Sequence, residues 1–296
     1  MLIDYHVHTV CSWDGREAAD AFCRRALELG LSEIALTPHA EFDPREPGFG
    51  RYQPLACLEE VQQAQERYGG RLEVLLGVEV SFQPQHTPRI AEFLAGWPYD
   101  LVIGSVHRVG EFDYSVPYGR EGAGGPGPGP AGWSPEPYLE ALLAAAESGL
   151  FDVLGHLDVL WRSAPPGTRE KELDRAWPRM AQVVAVVARS GRGLELNTSG
   201  LYQGPGQTYP AFELLRHFRR EGGKVLTLGS DAHTAASLGR GLEYALELAS
   251  AAGFSSLTRF RRRRPQPFPL PRPAEARGCP PAPAPGSPPQ AVWPSP

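Results

Sequence analysis

Six of the chain's eight histidines follow short apolar runs, a placement that suggests chemistry rather than packing. His6 and His8 lie two residues apart at the end of the first run, and Asp231 and His233 repeat this spacing after the last. An imidazole is costly to bury unless its nitrogens are bound. Because side chains two apart on a strand point to the same side, each pair could chelate one metal ion.

Further metal-binding side chains follow the other apolar runs, namely Asp14, His39, Glu79, His107 and His156. A single histidine at such a position is more often an ordinary core or loop residue. The repeated pattern favours a metal site instead, because Glu79 in the middle of the set could bridge two ions through its two oxygens. Mixed imidazole and carboxylate ligands suit zinc, iron or manganese rather than calcium.

The apolar runs are rich in Val, Ile and Leu and do not alternate with polar residues, which is typical of parallel strands covered on both faces. The predicted strands are Met1 to Tyr5, Ile34 to Leu36, Leu72 to Val78, Leu101 to Ile103, Phe151 to Leu154, Gly193 to Leu196 and Lys224 to Leu228. Helical periodicity predicts helices over Ala18 to Leu29, Leu55 to Tyr68, Pro137 to Ser148, Lys171 to Arg189, Tyr209 to Glu221 and Leu238 to Ala252. This alternation indicates an α/β barrel or a doubly wound sheet, and both gather reactive side chains at the carboxyl ends of their strands.

The order of the motifs resembles one known family, the polymerase and histidinol phosphatase (PHP) superfamily, and within it the monofunctional histidinol-phosphatase branch. The motifs are His-x-His, Asp14-Gly15, Thr-Pro-His39, Gly-Val-Glu79, Gly-Ser-Val-His107, Gly-His156-Leu-Asp158, Glu195-Leu-Asn197-Thr-Ser-Gly and Ser-Asp231-Ala-His233. The resemblance runs from Met1 to about Leu270. It implies a distorted (β/α)7, TIM-like barrel of the PHP type that holds three divalent metal ions, usually zinc, iron or manganese.

The resemblance also implies which residues hold each ion. By position, the three sets are His6, His8, Glu79 and Asp231; Glu79, His107 and His156; and Asp14, His39 and His233. All of these positions carry a side chain able to bind a metal, which argues against a metal-free member of the family. Asp158 is a candidate hydrogen-bond partner for one of the ligand imidazoles.

The activity implied is that of a hydrolase, a phosphatase that converts L-histidinol phosphate to L-histidinol and inorganic phosphate in histidine biosynthesis. Asp231 and His233 are candidates for assisting the leaving alkoxide. Other phosphomonoesters or nucleotide phosphodiesters remain alternative substrates, and a non-enzymatic PHP metal-binding scaffold is a further alternative. Amidohydrolase-like cleavage of C–N bonds is disfavoured, because Lys171 and Lys224 do not lie where that chemistry needs a lysine.

Three residues are candidates for binding the substrate. Arg162 matches a phosphate-binding arginine of the branch, and its guanidinium fork suits phosphate. Tyr202 stands where the branch often has a second basic residue, although its hydroxyl could donate a hydrogen bond. His86 could touch substrate or be a solvated loop residue. Glu111 and Asp113 could meet a cationic amine and imidazole, or belong to a plain solvated loop.

Composition limits the remaining possibilities. The 296 residues suit one PHP barrel over 1–270, followed by a proline-rich tail over 271–296 that we expect to be disordered. A net charge of −5 predicts no nucleic-acid surface, and we interpret the run Arg261 to Arg264 as a cap on the last helix region. The sequence predicts no membrane span and no signal peptide, hence a cytoplasmic enzyme. The Gly/Pro-rich segment 122–132 suits a lid or a disordered insertion, and a homo-oligomer is an open alternative.

Overall fold

The structure, a computed structural model, describes residues 1–119, 121–122, 125–126, 132–203, 205–276 and 278–280. Its strands in chain order are β1 Ile3–Val7, β2 Glu33–Leu36, β3 His39–Ala40, β4 Glu73–Ser81, β5 Leu101–Ser105, β6 Arg108–Val109, β7 Phe112–Asp113, β8 Glu121–Gly122, β9 Gly125–Pro126, β10 Val153–Leu154, β11 Gly193–Asn197, β12 Val225–Gly229, β13 Ser256–Arg261 and β14 Arg264–Pro269.

The α-helices are α1 Ala19–Leu29, α2 Pro54–Tyr68, α3 Thr87–Ala95, α4 Glu136–Ser148, α5 Arg169–Arg189, α6 Gly200–Gln203, α7 Phe212–Arg220 and α8 Leu242–Ala251. Short 3-10 helices cover Pro84–His86, Val159–Arg162, Ala235–Ser237 and Pro273–Ala276. Within the described residues, no helix combines the length and the apolar character needed to cross a membrane.

The seven main strands form one parallel sheet in the order β1-β2-β4-β5-β10-β11-β12, with β3 paired to β4. The two ends of this sheet meet just after β1 and β12. There the His8 amide donates to the Ala232 carbonyl at 2.8 Å, and the Ala232 amide donates to the His6 carbonyl at 3.2 Å. The sheet is therefore a nearly closed barrel, which confirms the predicted PHP-type barrel and excludes an open, doubly wound sheet.

All the predicted strands are present, and the predicted helices differ from the observed ones by a few residues at their ends. Helix α3 was not predicted. It buries only Ile90 and Leu94, and two apolar positions in nine residues are too few for a recognisable helical period. His86 accordingly lies in the 3-10 turn that leads into α3 rather than in an open loop.

The amino ends of the strands are covered by the hairpin β13–β14, whose turn carries the basic run. Arg261 Nη2 lies 3.0 Å from Glu33 Oε1 at the start of β2, and Arg263 Nη2 lies 3.1 Å from Asp152 Oδ1 just before β10. The interpretation of this run as a cap on the last helix region was therefore wrong. The ion pairs join residues more than a hundred positions apart, so no local pattern could reveal them.

The first part of the predicted tail packs against the barrel. Residues Pro273–Ala276 form a 3-10 helix, Ala276 and Cys279 are buried, and the Pro280 carbonyl accepts a hydrogen bond from the Gly241 amide at 2.8 Å. A segment with too few large apolar residues to form its own core can still cover the core of the barrel. Composition alone does not reveal this. Residues 281–296 and most of 122–132 lie outside the described residues.

Buried Asp4 ties β1 to the segment that follows β12. Its Oδ1 accepts the Ser230 amide and its Oδ2 accepts the Gly239 amide, both at 2.9 Å. We expect Asp4→Ala to lower the free energy of unfolding by about 2–4 kcal/mol, because two buried donors lose their acceptor. Urea unfolding followed by circular dichroism measures this. Asp174→Ala, on the exposed face of α5, is the control and should change stability by less than about 0.5 kcal/mol. An equal loss in both variants would contradict the role assigned to Asp4.

Candidate metal centre

Glu79 lies at the centre of the site, on β4, with only 1% of its surface exposed. Its Oε2 lies 3.1 Å from His6 Nε2, 3.1 Å from His39 Nδ1 and 3.5 Å from His8 Nε2. His6 lies in β1, His8 follows it directly, and His39 lies in β3, which pairs with β4. One carboxylate oxygen thus faces three imidazole nitrogens.

The other oxygen of Glu79 faces the opposite side of the barrel. Oε1 lies 2.8 Å from His156 Nε2 and 3.2 Å from His107 Nε2, and these two nitrogens are 3.3 Å apart. His107 follows β5 and His156 follows β10. The two oxygens of Glu79 therefore face separate groups of histidines, as a bridging carboxylate requires.

Asp14, His39 and His233 form a third group, next to His8. Asp14 Oδ2 lies 2.9 Å from His233 Nε2 and 3.4 Å from His39 Nε2. Donor atoms of these three residues and of His8 all lie within 4.8 Å of one another. The last strand also contributes Asp231, whose Oδ1 lies 3.3 Å from His8 Nε2. The structure thus brings all nine predicted metal ligands to one end of the barrel.

The observed groups differ in detail from those that the resemblance implies. His8 lies with Asp14, His39 and His233 as well as with His6 and Asp231. His39 also forms a group with Glu79 and His107. The assignment of each side chain to a particular ion stays a proposal.

The donor set fits a divalent metal. His6 Nε2, His8 Nε2, His39 Nδ1 and Glu79 Oε2 are buried and have no hydrogen-bond partner among the described residues. The rings are close together, with the centroids of His8 and His233 4.3 Å apart. Buried imidazole nitrogens and carboxylate oxygens that face one another without a hydrogen-bond partner are stabilised best by a shared cation.

The protein's own charges favour ionised carboxylates in this cluster. Burial alone would raise the pKa of Glu79, but His6, His39 and His107 hold it well below its usual range. Asp231 behaves in the same way because His6 and His8 lie beside it. Ionised carboxylates are the form that binds a metal, so the site is prepared for cations.

Burial acts to lower the pKa of a histidine, but the neighbouring carboxylates outweigh it at His6, His39, His107 and His233, whose pKa is raised. His8 is the exception. Burial lowers the pKa of His8 to about 3, helped by the neighbouring His233 and His39. His8 is therefore neutral at ordinary pH, as a metal ligand must be.

Glu195 is a functional residue that the sequence reasoning named only as part of a motif. Its Oε1 lies 2.6 Å from His6 Nδ1, and its Oε2 accepts the His156 amide at 3.0 Å and Asn197 Nδ2 at 3.1 Å. A carboxylate on the far nitrogen fixes the ring and tautomer of a metal-binding histidine. A glutamate inside an otherwise apolar strand, Gly193–Asn197, was the available signal.

Asp158 was expected in this supporting role, but its contacts lie elsewhere. Its Oδ2 accepts the backbone amide of Ala211 at 3.0 Å. Ser12 instead supports the group that contains His8 and Asp14. Its Oγ donates to Asp14 Oδ1 at 2.8 Å and lies 3.2 Å from His8 Nδ1.

A cavity of about 580 Å³ opens directly over the cluster. Arg162 lines it, and Arg162 Nη2 donates to Gln203 Oε1 at 2.6 Å. Tyr202 and His86 are not among the described residues that line it. The Arg240 guanidinium lies 3.4 Å from the centre of the Tyr202 ring. Of Arg162, Tyr202 and His86, only Arg162 thus lines the cavity, together with Asp113, which was expected to meet a cationic group.

Comparison with known proteins agrees with this geometry. The PHP domain family model matches residues 4–199. The chain belongs to the PHP domain family. Its relatives include a probable histidinol-phosphatase of Deinococcus radiodurans, 32% identical over 247 residues that cover 80% of this chain and 88% of the relative. The histidinol-phosphatase of Lactococcus lactis is 28% identical over 265 residues, or 87% of this chain and 94% of that one.

A solved structure supports both the fold and the PHP assignment. It is the Lactococcus lactis histidinol phosphate phosphatase in complex with zinc, L-histidinol and phosphate. It shares 26% sequence identity and a TM-score of 0.75 with this chain, and the match covers 90% of this chain and 98% of that one. The similarity thus extends over almost the whole PHP barrel.

The Glu195 contact can be tested through metal affinity. We expect Glu195→Gln to weaken metal binding about 10–100-fold, because His6 loses the charge that orients it and makes it a stronger ligand. Equilibrium competition with a chromogenic chelator gives the affinity. Glu66→Gln, an exposed change on α2, should leave it unaltered. Equal affinities for Glu195→Gln and the unmodified protein would rule out this orienting role.

Proposed function

We propose that this PHP-family protein is a metal-dependent histidinol-phosphatase that hydrolyses L-histidinol phosphate to L-histidinol and inorganic phosphate. The observation that carries the proposal is the convergence of nine histidine and carboxylate side chains beneath an open cavity that Arg162 lines. Relatives named histidinol-phosphatase, similar over most of their length, indicate the same substrate.

Three divalent ions, which we propose to be zinc, iron or manganese, would be held by the nine ligands. Such ions activate water and draw charge from the oxygens of a phosphoryl group. The ligand carboxylates Asp14, Glu79 and Asp231 cannot balance the charge of three divalent ions. The excess of positive charge attracts a phosphate monoester dianion.

Arg162 is placed to hold the phosphate. It emerges from the 3-10 turn after β10, at the cavity wall, and Gln203 fixes one of its amino groups. A guanidinium held in this way can offer its remaining donors to two phosphate oxygens at once. Tyr202 and His86 stay predictions, with less support because their observed positions are away from the cavity lining.

The leaving alkoxide of an aliphatic alcohol is strongly basic and needs a proton or a metal ion. Asp231 and His233 both line the cavity and are the candidates for this step. His233 is the better placed of the two, with a side chain that is 29% exposed, against 13% for Asp231. A cytoplasmic location and a homo-oligomeric state stay predictions.

Removal of the metal ions should abolish the activity. We expect chelator-treated protein to release no phosphate from L-histidinol phosphate, and zinc or manganese to restore the release, because the ions would activate the attacking water and draw charge from the phosphoryl oxygens. Phosphate release measured against p-nitrophenyl phosphate defines the specificity. Turnover of histidinol phosphate no faster than that of p-nitrophenyl phosphate would contradict the assigned substrate. Altered stability without hydrolysis of any ester would indicate a scaffold instead.

Substitution of Arg162 tests the phosphate site. Arg162→Gln should lower kcat/KM for L-histidinol phosphate by about 10–100-fold, the worth of a hydrogen-bonded charged contact. Arg175→Gln, on the exposed surface of α5, is the matched control and should have no effect. Unchanged kinetics in Arg162→Gln would remove Arg162 from the substrate site.

A further inference from the structure

We propose that Glu41 and Glu46, here called the acidic wall, bind the cationic end of the substrate, a protonated amine or imidazolium, while the phosphate lies at the metal cluster. This inference rests on the proposed function and names the residues that select its substrate. Both glutamates follow β3 and line the cavity, and neither belongs to the metal-ligand set.

The two carboxylates of the acidic wall form no ion pair with an arginine or lysine among the described residues. Of the carboxylates expected from the sequence to meet a cation, Asp113 pairs with Arg108 at 3.3 Å and Glu111 pairs with Arg45 at 2.8 Å. Asp113 thus has a cationic partner of its own, and Glu111 shares Arg45 with Asp43. Among the ion pairs of the described residues, neither Glu41 nor Glu46 has an arginine or lysine partner that would compete with a ligand cation.

Glu46 gives an independent indication of a missing donor. It is 4% exposed, and its Oε1 accepts a hydrogen bond from the Ser81 hydroxyl. Its Oε2 is buried with no hydrogen-bond partner in the part of the chain that the structure describes. An unsatisfied buried carboxylate oxygen costs free energy, and an N–H group of a cationic ligand would recover it.

Glu41 is held in place by Trp13, whose Nε1 donates to Glu41 Oε1 at 3.1 Å. Trp13 also lines the cavity, and an indole ring is a favourable neighbour for an organic cation. The acidic wall therefore combines two carboxylates with an aromatic surface.

The acidic wall and Arg162 follow different strands around the cavity. Strand β3 pairs with β4, whereas Arg162 follows β10, and β5 separates β4 from β10 in the barrel order. The acidic wall and Arg162 thus belong to different sectors, separated by β4, which carries Glu79, and β5, which leads to His107. A substrate with a phosphate at one end and a cation at the other complements both, whereas an ester with a second anionic group is repelled by the wall.

The test compares two phosphate esters on the metal-loaded enzyme, one with a cationic leaving group and one with an uncharged leaving group. Glu46→Gln retains an acceptor for Ser81, and Glu41→Gln retains one for Trp13. In each variant the kcat/KM for L-histidinol phosphate, divided by that for p-nitrophenyl phosphate, should fall at least about tenfold, mainly through KM. L-Histidinol should inhibit p-nitrophenyl phosphate hydrolysis more weakly by a similar factor. Glu59→Gln, exposed on α2, should leave both quantities unchanged.

Two outcomes would overturn the proposal. One is an unchanged specificity ratio in both variants. The other is a parallel loss for both esters together with a loss of bound metal, which would make the acidic wall a support of the metal centre. If the unmodified enzyme hydrolyses no ester, the proposed function fails. Calorimetry with L-histidinol then tests the wall alone: weaker binding by Glu46→Gln supports it, and no binding or equal binding overturns it.

Discussion

The structure depends on one costly arrangement, the burial of the Glu79 carboxylate among five imidazoles. Its two oxygens face histidines from four different strand ends, and in this environment a carboxylate is stable only with positive charge beside it. A shared cation cluster satisfies both the glutamate and the unpartnered histidine nitrogens. The barrel is what makes this possible, because parallel strands in a closed ring direct their carboxyl ends to one place.

The surrounding contacts hold this arrangement in place. Glu195 fixes His6 and the backbone at His156, Ser12 links His8 to Asp14, and Asp4 ties the first strand to the last. The contacts of Glu195 and Asp4 join distant parts of the sequence, whereas those of Ser12 are local. The cavity above has Arg162, the proposed phosphate ligand, on one side and the acidic wall on the other, and we propose that this end of the barrel selects a zwitterionic ester.

The sequence predicted the parallel strands because buried strands are short apolar runs, which are visible locally. It predicted the convergence of the metal ligands because the carboxyl ends of parallel strands meet at one end of a barrel. It did not predict contacts that depend on distant pairing. Arg45 lies 66 residues from Glu111 and pairs with it, which moved the candidate cation site to Glu41 and Glu46. The supporting role fell to Glu195 rather than Asp158 for the same reason. Short elements such as α3 carried too few apolar positions for a periodic signal.

We propose that the buried carboxylate of Glu79 bridges a cluster of divalent ions. Anomalous diffraction at the zinc edge, from crystals of the zinc-loaded protein, tests it most directly. The account predicts strong peaks on both sides of Glu79, each about 2.0–2.2 Å from one of its oxygens. Peaks confined to the protein surface, or none among His6, His39 and His107, would contradict it.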